Sequence, residues 1–109
     1  DSVIMFDTHI RAGAVVDRAI IDKEVNVGPN AIVGTGNDFD TPNVDEPERL
    51  NTGITVVGKR AVIPASARIG RNVRIAGDVR PADFKSKRVN SGSSIEVKAR
   101  RTRKAKKKS

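Results

Sequence analysis

The sequence predicts an all-β fold: a parallel β-helix of hexapeptide repeats with one long inserted loop and a disordered basic tail. Three observations carry this prediction. Aliphatic residues recur at Ile4, Ile10, Val16, Ile21, Val27 and Val33, and after a break at Val57, Ile63, Ile69 and Ile75, every step being six residues except the five from Val16 to Ile21. The apolar residues are largely β-branched, 14 Val and 10 Ile against the single Leu50. Such side chains suit a pleated surface and lose rotamer freedom in a helix. Hairpin turns, which would punctuate a flat antiparallel sheet, are missing from the repeats. A helix cannot use the pattern either, because at 3.6 residues per turn each step of six would move the apolar stripe about 240° round the cylinder.

Each hexad is therefore read as one short strand with a corner, three hexads to a coil, and coils stacked about 4.8 Å apart. Four residues after the starts stand Thr8, Ala14, Ile20, Val25, Ala31, Ala61, Ala67, Val73 and Val79, mostly small. The first and fifth residues of each hexad are thus expected to face inward. The residue after the start is Gly at 28, 34, 58 and 70 and Asp at 17 and 22, which predicts a left-handed or tight corner at that point.

Residues 35–52 interrupt the repeat. This stretch carries Asp38, Asp40, Asp45, Glu46 and Glu48 against Arg49, two prolines and one well-placed hydrophobe, Phe39. It is read as an acidic loop thrown out of the coil, its carboxylates solvated rather than metal-binding, with re-entry at Gly53. From Pro81 the spacing decays, yet Val89 and Ile95 are again six apart. An irregular closing rung is expected over 81–97, since an uncapped solenoid exposes apolar side chains and unpaired backbone. The β-helix is accordingly placed at 1–97 and the tail at 98–109.

The net charge of +8 resides in that tail. Lys98, Arg100, Arg101, Arg103, Lys104, Lys106, Lys107 and Lys108 stand there without an acid, so the other 97 residues balance 13 bases against 13 acids. A terminal run of like charge is read as disordered and solvated, so nucleic acid is not expected as a partner. With no cysteine, a disulfide framework is excluded. The apolar runs fall far short of the roughly 20 residues that span a bilayer, so no membrane association is expected. The start, Asp1-Ser-Val-Ile-Met-Phe, has neither a basic n-region nor an initiator Met, and the segment is expected to be soluble and to begin in mid-protein.

Most catalytic chemistry is excluded by residue type. His9 is the only imidazole, so a three-histidine metal centre is ruled out. As a general base it is the last residue of its hexad and is read as solvent-facing and structural. No Cys nucleophile exists and no Ser has a second His to activate it. Gly34-Thr-Gly and Val57-Gly-Lys are incomplete phosphate-loop fragments and are discounted. One constellation survives. If the loop leaves and rejoins within the hexad begun at Val33, Val57 stacks on Ile21, and Lys23 and Lys59, both third in their hexads, share one face in adjacent coils. Their backbones would lie roughly 5 Å apart, with Arg18 and Arg60 expected near the same corner. Such ammonium groups either diverge into water or share a phosphate or carboxylate.

The wording of the chain adds a resemblance. Gly13-Ala-Val-Val-Asp-Arg-Ala-Ile-Ile-Asp-Lys-Glu-Val, then Val27-Gly-Pro, the acidic loop, Thr52-Gly-Ile-Thr-Val-Val-Gly-Lys and Ile63-Pro resemble the C-terminal left-handed β-helix domain of the ADP-glucose pyrophosphorylase, or glucose-1-phosphate adenylyltransferase, family. The likeness covers about residues 1–95. It implies a cytoplasmic parent enzyme that joins ATP and glucose 1-phosphate, with Mg2+, into ADP-glucose and pyrophosphate for glycogen or starch synthesis. It also implies that catalysis belongs to an N-terminal domain opened by a Gly-rich, Arg-containing loop, so that this segment holds no catalytic residue. The family's β-helix helps to assemble a homotetramer and forms part of an allosteric site for phosphorylated metabolites, whose effector-binding positions fall on Lys23 and Lys59. Three further hexads after Lys59 match only the longer members, and the tail from Lys98 matches none. Two alternatives stay open: the β-helix of another sugar nucleotidyltransferase, such as a mannose-1-phosphate guanylyltransferase, and a stand-alone scaffold that polymerises end to end.

Overall fold

A computed structural model describes residues 2–5 and 7–97. The tail over 98–109, expected to be disordered, lies outside the described residues. Short strands follow one another round a coil. The first coil holds β1 (Val3–Ile4), β2 (His9–Ile10) and β3 (Val15–Val16). The second holds β4 (Ala19–Ile21), β5 (Asn26–Val27) and β6 (Ile32–Val33). After the loop come β7 (Thr55–Val57), β8 (Val62–Ile63) and β9 (Arg68–Ile69). The fourth coil has β10 (Arg74–Ile75), a 3-10 turn η1 (Pro81–Asp83) and β11 (Arg88–Val89), and β12 (Ser94–Ile95) begins a fifth. Three parallel sheets result, in the orders β1-β4-β7-β10-β12, β11-β9-β6-β3 and β2-β5-β8. Ile21 pairs with Val57, so the coil resumes after the loop in the register that the repeat required.

Two inward residues per rung fill the core. Val25 and Val27, Ala31 and Val33, Ala61 and Ile63, Ala67 and Ile69, and Val73 and Ile75 are each at most 1% exposed. Removing a Val or Ile side chain from water stabilises the fold by about 1.5–3 kcal/mol, and the small alanines leave room for the larger partner two residues on. Thr55 is the polar member of the set. Its hydroxyl donates to Gly70 O at 2.7 Å and accepts the Val73 N–H at 3.3 Å, so its burial leaves no orphan. In the first coil Ile4 and Ile10 remain 45% and 39% exposed, since no coil covers them among the described residues.

Three expectations need correction. The inward residue of the short step is Ala19, 1% exposed, and Ile20 faces out at 38%; the missing residue is taken from the corner, which shifts the strand's phase by one. The left-handed corners fall mostly three residues after the start; of the positions expected one after it, Gly34 alone has a positive φ, 89°. Glu24, Asn30, Arg60, Ser66, Asn72 and Asp78 all have φ between 56° and 64°, although this conformation costs a side-chain-bearing residue about 1–2 kcal/mol. Gly28, Gly58 and Gly70 answer instead to crowding between coils. A Cβ on Gly58 would stand 2.5 Å from Gly77 N, and one on Gly28 2.7 Å from Ala65 N.

The loop is the third correction, because it folds back onto the lower coils. Asn43 and Asn72, 1% and 0% exposed, hold it there. Asn72 Nδ2 donates to Phe39 O at 2.8 Å and Thr41 O at 2.7 Å, and its Oδ1 accepts the Gly53 N–H at 2.7 Å. Asn43 Nδ2 donates to Asn72 O at 2.9 Å and Ser93 O at 3.0 Å. The loop acids Asp38, Asp40, Asp45 and Glu48 are exposed. At the far end, Val89 stacks on Ile69 and Ile95 on Ile75, and η1 occupies the third face in place of a strand. No helix of the described residues is long and apolar enough to cross a membrane.

Candidate functional site

Lys23 and Lys59 are set by the strands that precede them. With Ile21 opposite Val57, two more residues of chain bring each lysine to the same corner of successive coils, about 4.8 Å apart at the backbone. The backbones are pinned there. Lys23 N–H donates to Asp22 Oδ1 at 2.7 Å, Lys23 O accepts the Arg60 N–H at 3.1 Å, and Lys59 O accepts the Asp78 N–H at 2.9 Å. Both lysines are half-buried. The next residue in this column is Gly77, where a Cβ would meet Lys59 O at 3.1 Å. The column thus runs cation, cation, no side chain.

The neighbouring column is one of corner residues: Glu24, Arg60, Asp78. Arg60 Nε lies 2.9 Å from Asp78 Oδ1, and its other arm lies 3.9 Å from Glu24 Oε1. The hydrogen bond to Asp78, followed by that carboxylate's charge, raises the guanidinium's pKa above its ordinary value. Arg60 is therefore engaged by acids. Arg18 lies elsewhere, against the expectation. It sits at the corner before β4, 4.9 Å from the centre of the Phe39 ring, whereas Arg60 follows β7 at the other end of the same sheet. His9 is exposed on the outer face of β2, in register with Asn26.

This arrangement can bind an oxyanion, with two cations acting on one ligand. It offers no nucleophile and no general base. Among the described residues no group of three or more His, Cys, Asp or Glu side chains converges, so they do not fit a metal site. Sequence reasoning missed the polar residues that build the opposite corner, where Arg18 lies: Arg71, Asn72 and Asn43. Arg71, 6% exposed, donates from Nε to Gly36 O at 2.9 Å and from a terminal nitrogen to Asp17 Oδ2 at 2.9 Å, while its guanidinium lies 4.5 Å from the Phe39 centroid. For Asn72 the available signal was a polar residue at a corner of the repeat, which does not by itself say what the side chain touches.

With the coil and the lysine column in place, comparison with known proteins decides the family. A model described as GlmU-like, C-terminal hexapeptide matches residues 1–57, just over half of the chain. This chain belongs to the GlmU-like C-terminal hexapeptide family. Its coil is the left-handed parallel β-helix of hexapeptide repeats. Among curated relatives, this hexapeptide chain is similar to a glucose-1-phosphate adenylyltransferase of Thermomicrobium roseum, 54% identical over 95 residues, which is 87% of this chain and 22% of the relative. It is also similar to the enzyme of that name from Acetivibrio thermocellus, 37% identical over the same shares, and to that of Ruminiclostridium cellulolyticum, 46% identical over 51% of this chain and 13% of the relative. The chain thus spans about a fifth of the length of the first two. No solved structure matches it.

Proposed function

We infer that this chain is the C-terminal regulatory and oligomerisation domain of a glucose-1-phosphate adenylyltransferase, an enzyme that makes ADP-glucose and pyrophosphate from ATP and glucose 1-phosphate in the cytoplasm. The observation that carries this reading is the 54% identity to such an enzyme over 95 residues. The stacking of Lys23 on Lys59 supports the regulatory part. Two ammonium groups in successive coils bind the phosphate of a metabolite better than either alone, and the β-helix passes the effect to the rest of a homotetramer. Mg2+ belongs to the phosphoryl chemistry of the catalytic part of the parent enzyme; the residues described here do not fit a metal, and no step is routed through one.

The test is ADP-glucose formation by the full-length protein, titrated with fructose 1,6-bisphosphate, fructose 6-phosphate, pyruvate and AMP, beside a Lys23→Ala, Lys59→Ala variant. An allosteric site contributes coupling and no chemical step, so the variant should lose an effector response of about 5–150-fold while keeping unactivated turnover. Loss of basal turnover with an unchanged effector midpoint, in protein that remains tetrameric, overturns the lysine assignment. Absence of ADP-glucose overturns the enzyme assignment.

A further inference from the structure

A second pair of cations lies on a different sheet. Arg68 and Arg88 are directly opposite one another on β9 and β11, both exposed and both facing outward, since Ile69 and Val89 beside them are buried. Like charges opposite one another on adjacent strands destabilise the pair. Several other coil arginines are engaged: Arg60 by Asp78, Arg71 by Asp17, Arg74 by Glu96, Arg11 by the Asn26 side-chain oxygen, and Arg18 by the Phe39 ring. Among the described residues, neither the Arg68 nor the Arg88 side chain has a hydrogen-bonding or ion-pair partner. Their backbones are held, Arg68 N–H donating to Lys87 O at 2.6 Å and Arg88 N–H to Ser86 Oγ at 3.1 Å.

The two arginines border a small cleft shared with Thr35, Asp38, Asn90 and Ser91. Its volume of about 170 Å³ is below the roughly 300–1,000 Å³ of sites for drug-sized ligands. Ser91 Oγ accepts the Arg71 N–H at 2.8 Å, which leaves its own O–H to donate. Two guanidinium forks, two hydroxyls and an amide beside one carboxylate suit an oxyanion that also carries a proton. Arginine forks match tetrahedral oxyanions bidentately, and a carboxylate can accept a hydrogen bond from P–O–H but only repels a fully deprotonated sulfate.

We propose that this cleft is a binding site for hydrogen phosphate, held between Arg68 and Arg88 with Ser91 and Thr35 donating and Asp38 accepting the P–O–H proton. The inference does not depend on the adenylyltransferase reading, because it rests on a different sheet and on other residues.

Equilibrium dialysis of the intact protein with labelled orthophosphate tests it. An Arg68→Gln, Arg88→Gln variant should bind one phosphate fewer per chain, whereas Lys23→Gln, Lys59→Gln leaves that site filled. Arg68→Lys, Arg88→Lys should weaken it by about tenfold, through loss of the paired charge-assisted hydrogen bonds. These side chains are exposed, so an unchanged circular dichroism spectrum is expected for each. Sulfate should compete poorly against the wild type and well against Asp38→Asn. An unchanged phosphate stoichiometry in the folded Arg68→Gln, Arg88→Gln protein overturns the site, and equal competition by sulfate in the wild type overturns the role of Asp38.

Discussion

Asn72 offers the sharpest test of how the loop is held. Its side chain makes three hydrogen bonds: from the Gly53 N–H, and to Phe39 O and Thr41 O. Asn72→Ala removes all three in a residue that is 0% exposed. At roughly 1 kcal/mol for each net bond the loss is about 3 kcal/mol. Alanine must also hold φ near 56°, which adds about 1 kcal/mol or more. A loss of 3 kcal/mol is about two orders of magnitude in an opening equilibrium. Hydrogen exchange of the intact protein, followed by mass spectrometry of peptides covering 37–53, should show protection in the loop falling by that factor while the strands of the upper coils change less. Asn72→Asp is the informative companion. It retains the acceptor for Gly53 but sets a carboxylate against two carbonyl oxygens, so it should loosen the loop at least as much as alanine. A silent Asn72→Asp, or an unaltered loop in Asn72→Ala, would refute the reasoning.

Two paired substitutions test the core. Ile21→Ala should cost about 2–5 kcal/mol in urea unfolding, whereas Ile20→Ala should stay within roughly 0.5–1 kcal/mol; comparable costs would restore the reading of the repeat alone, in which both side chains face inward. Gly58→Ala should cost about 1–3 kcal/mol by overpacking, because its Cβ meets backbone at 2.5 Å, while Gly77→Ala, with its nearest atom at 3.1 Å, should cost less. Equal melting temperatures for these two would remove the crowding argument.

The period of six was legible because it counts only which residues are apolar, and the core answers to that count. Ile20 and Ala19 show its limit, since a five-residue step lets either of two residues turn inward and only the corner geometry chooses. The left-handed corners were illegible for another reason. Arg18, Glu24 and Arg60 occupy them although their residue types do not advertise that backbone, the cost being borne by the rungs on either side. The lysine column could be read because both members stand third in their hexads across an unbroken register. The arginine pair could not. Arg68 and Arg88 are 20 residues apart, where three hexads would give 18, and the two extra residues fall in the irregular stretch containing η1. Asn43, a polar residue in an acidic loop, is buried only because Asn72 O and Ser93 O lie where it lands.

The reach of Arg71 bears on how the molecule comes apart. Asp17 leaves the first coil, Gly34 the second and Gly70 the third. Arg71 crosses the empty position at Gly34, where a Cβ would collide with Asp17 O, and grasps Asp17 two coils away. The loop runs the opposite way, from the second coil down to Ser93 at the start of the fifth. A stack in which each repeat touches only its neighbours can unzip from an end, one rung at a time. Here the two straps overlap like crossed laces, one tying the first coil to the third and the other the second to the fifth, so the end rungs resist peeling away singly.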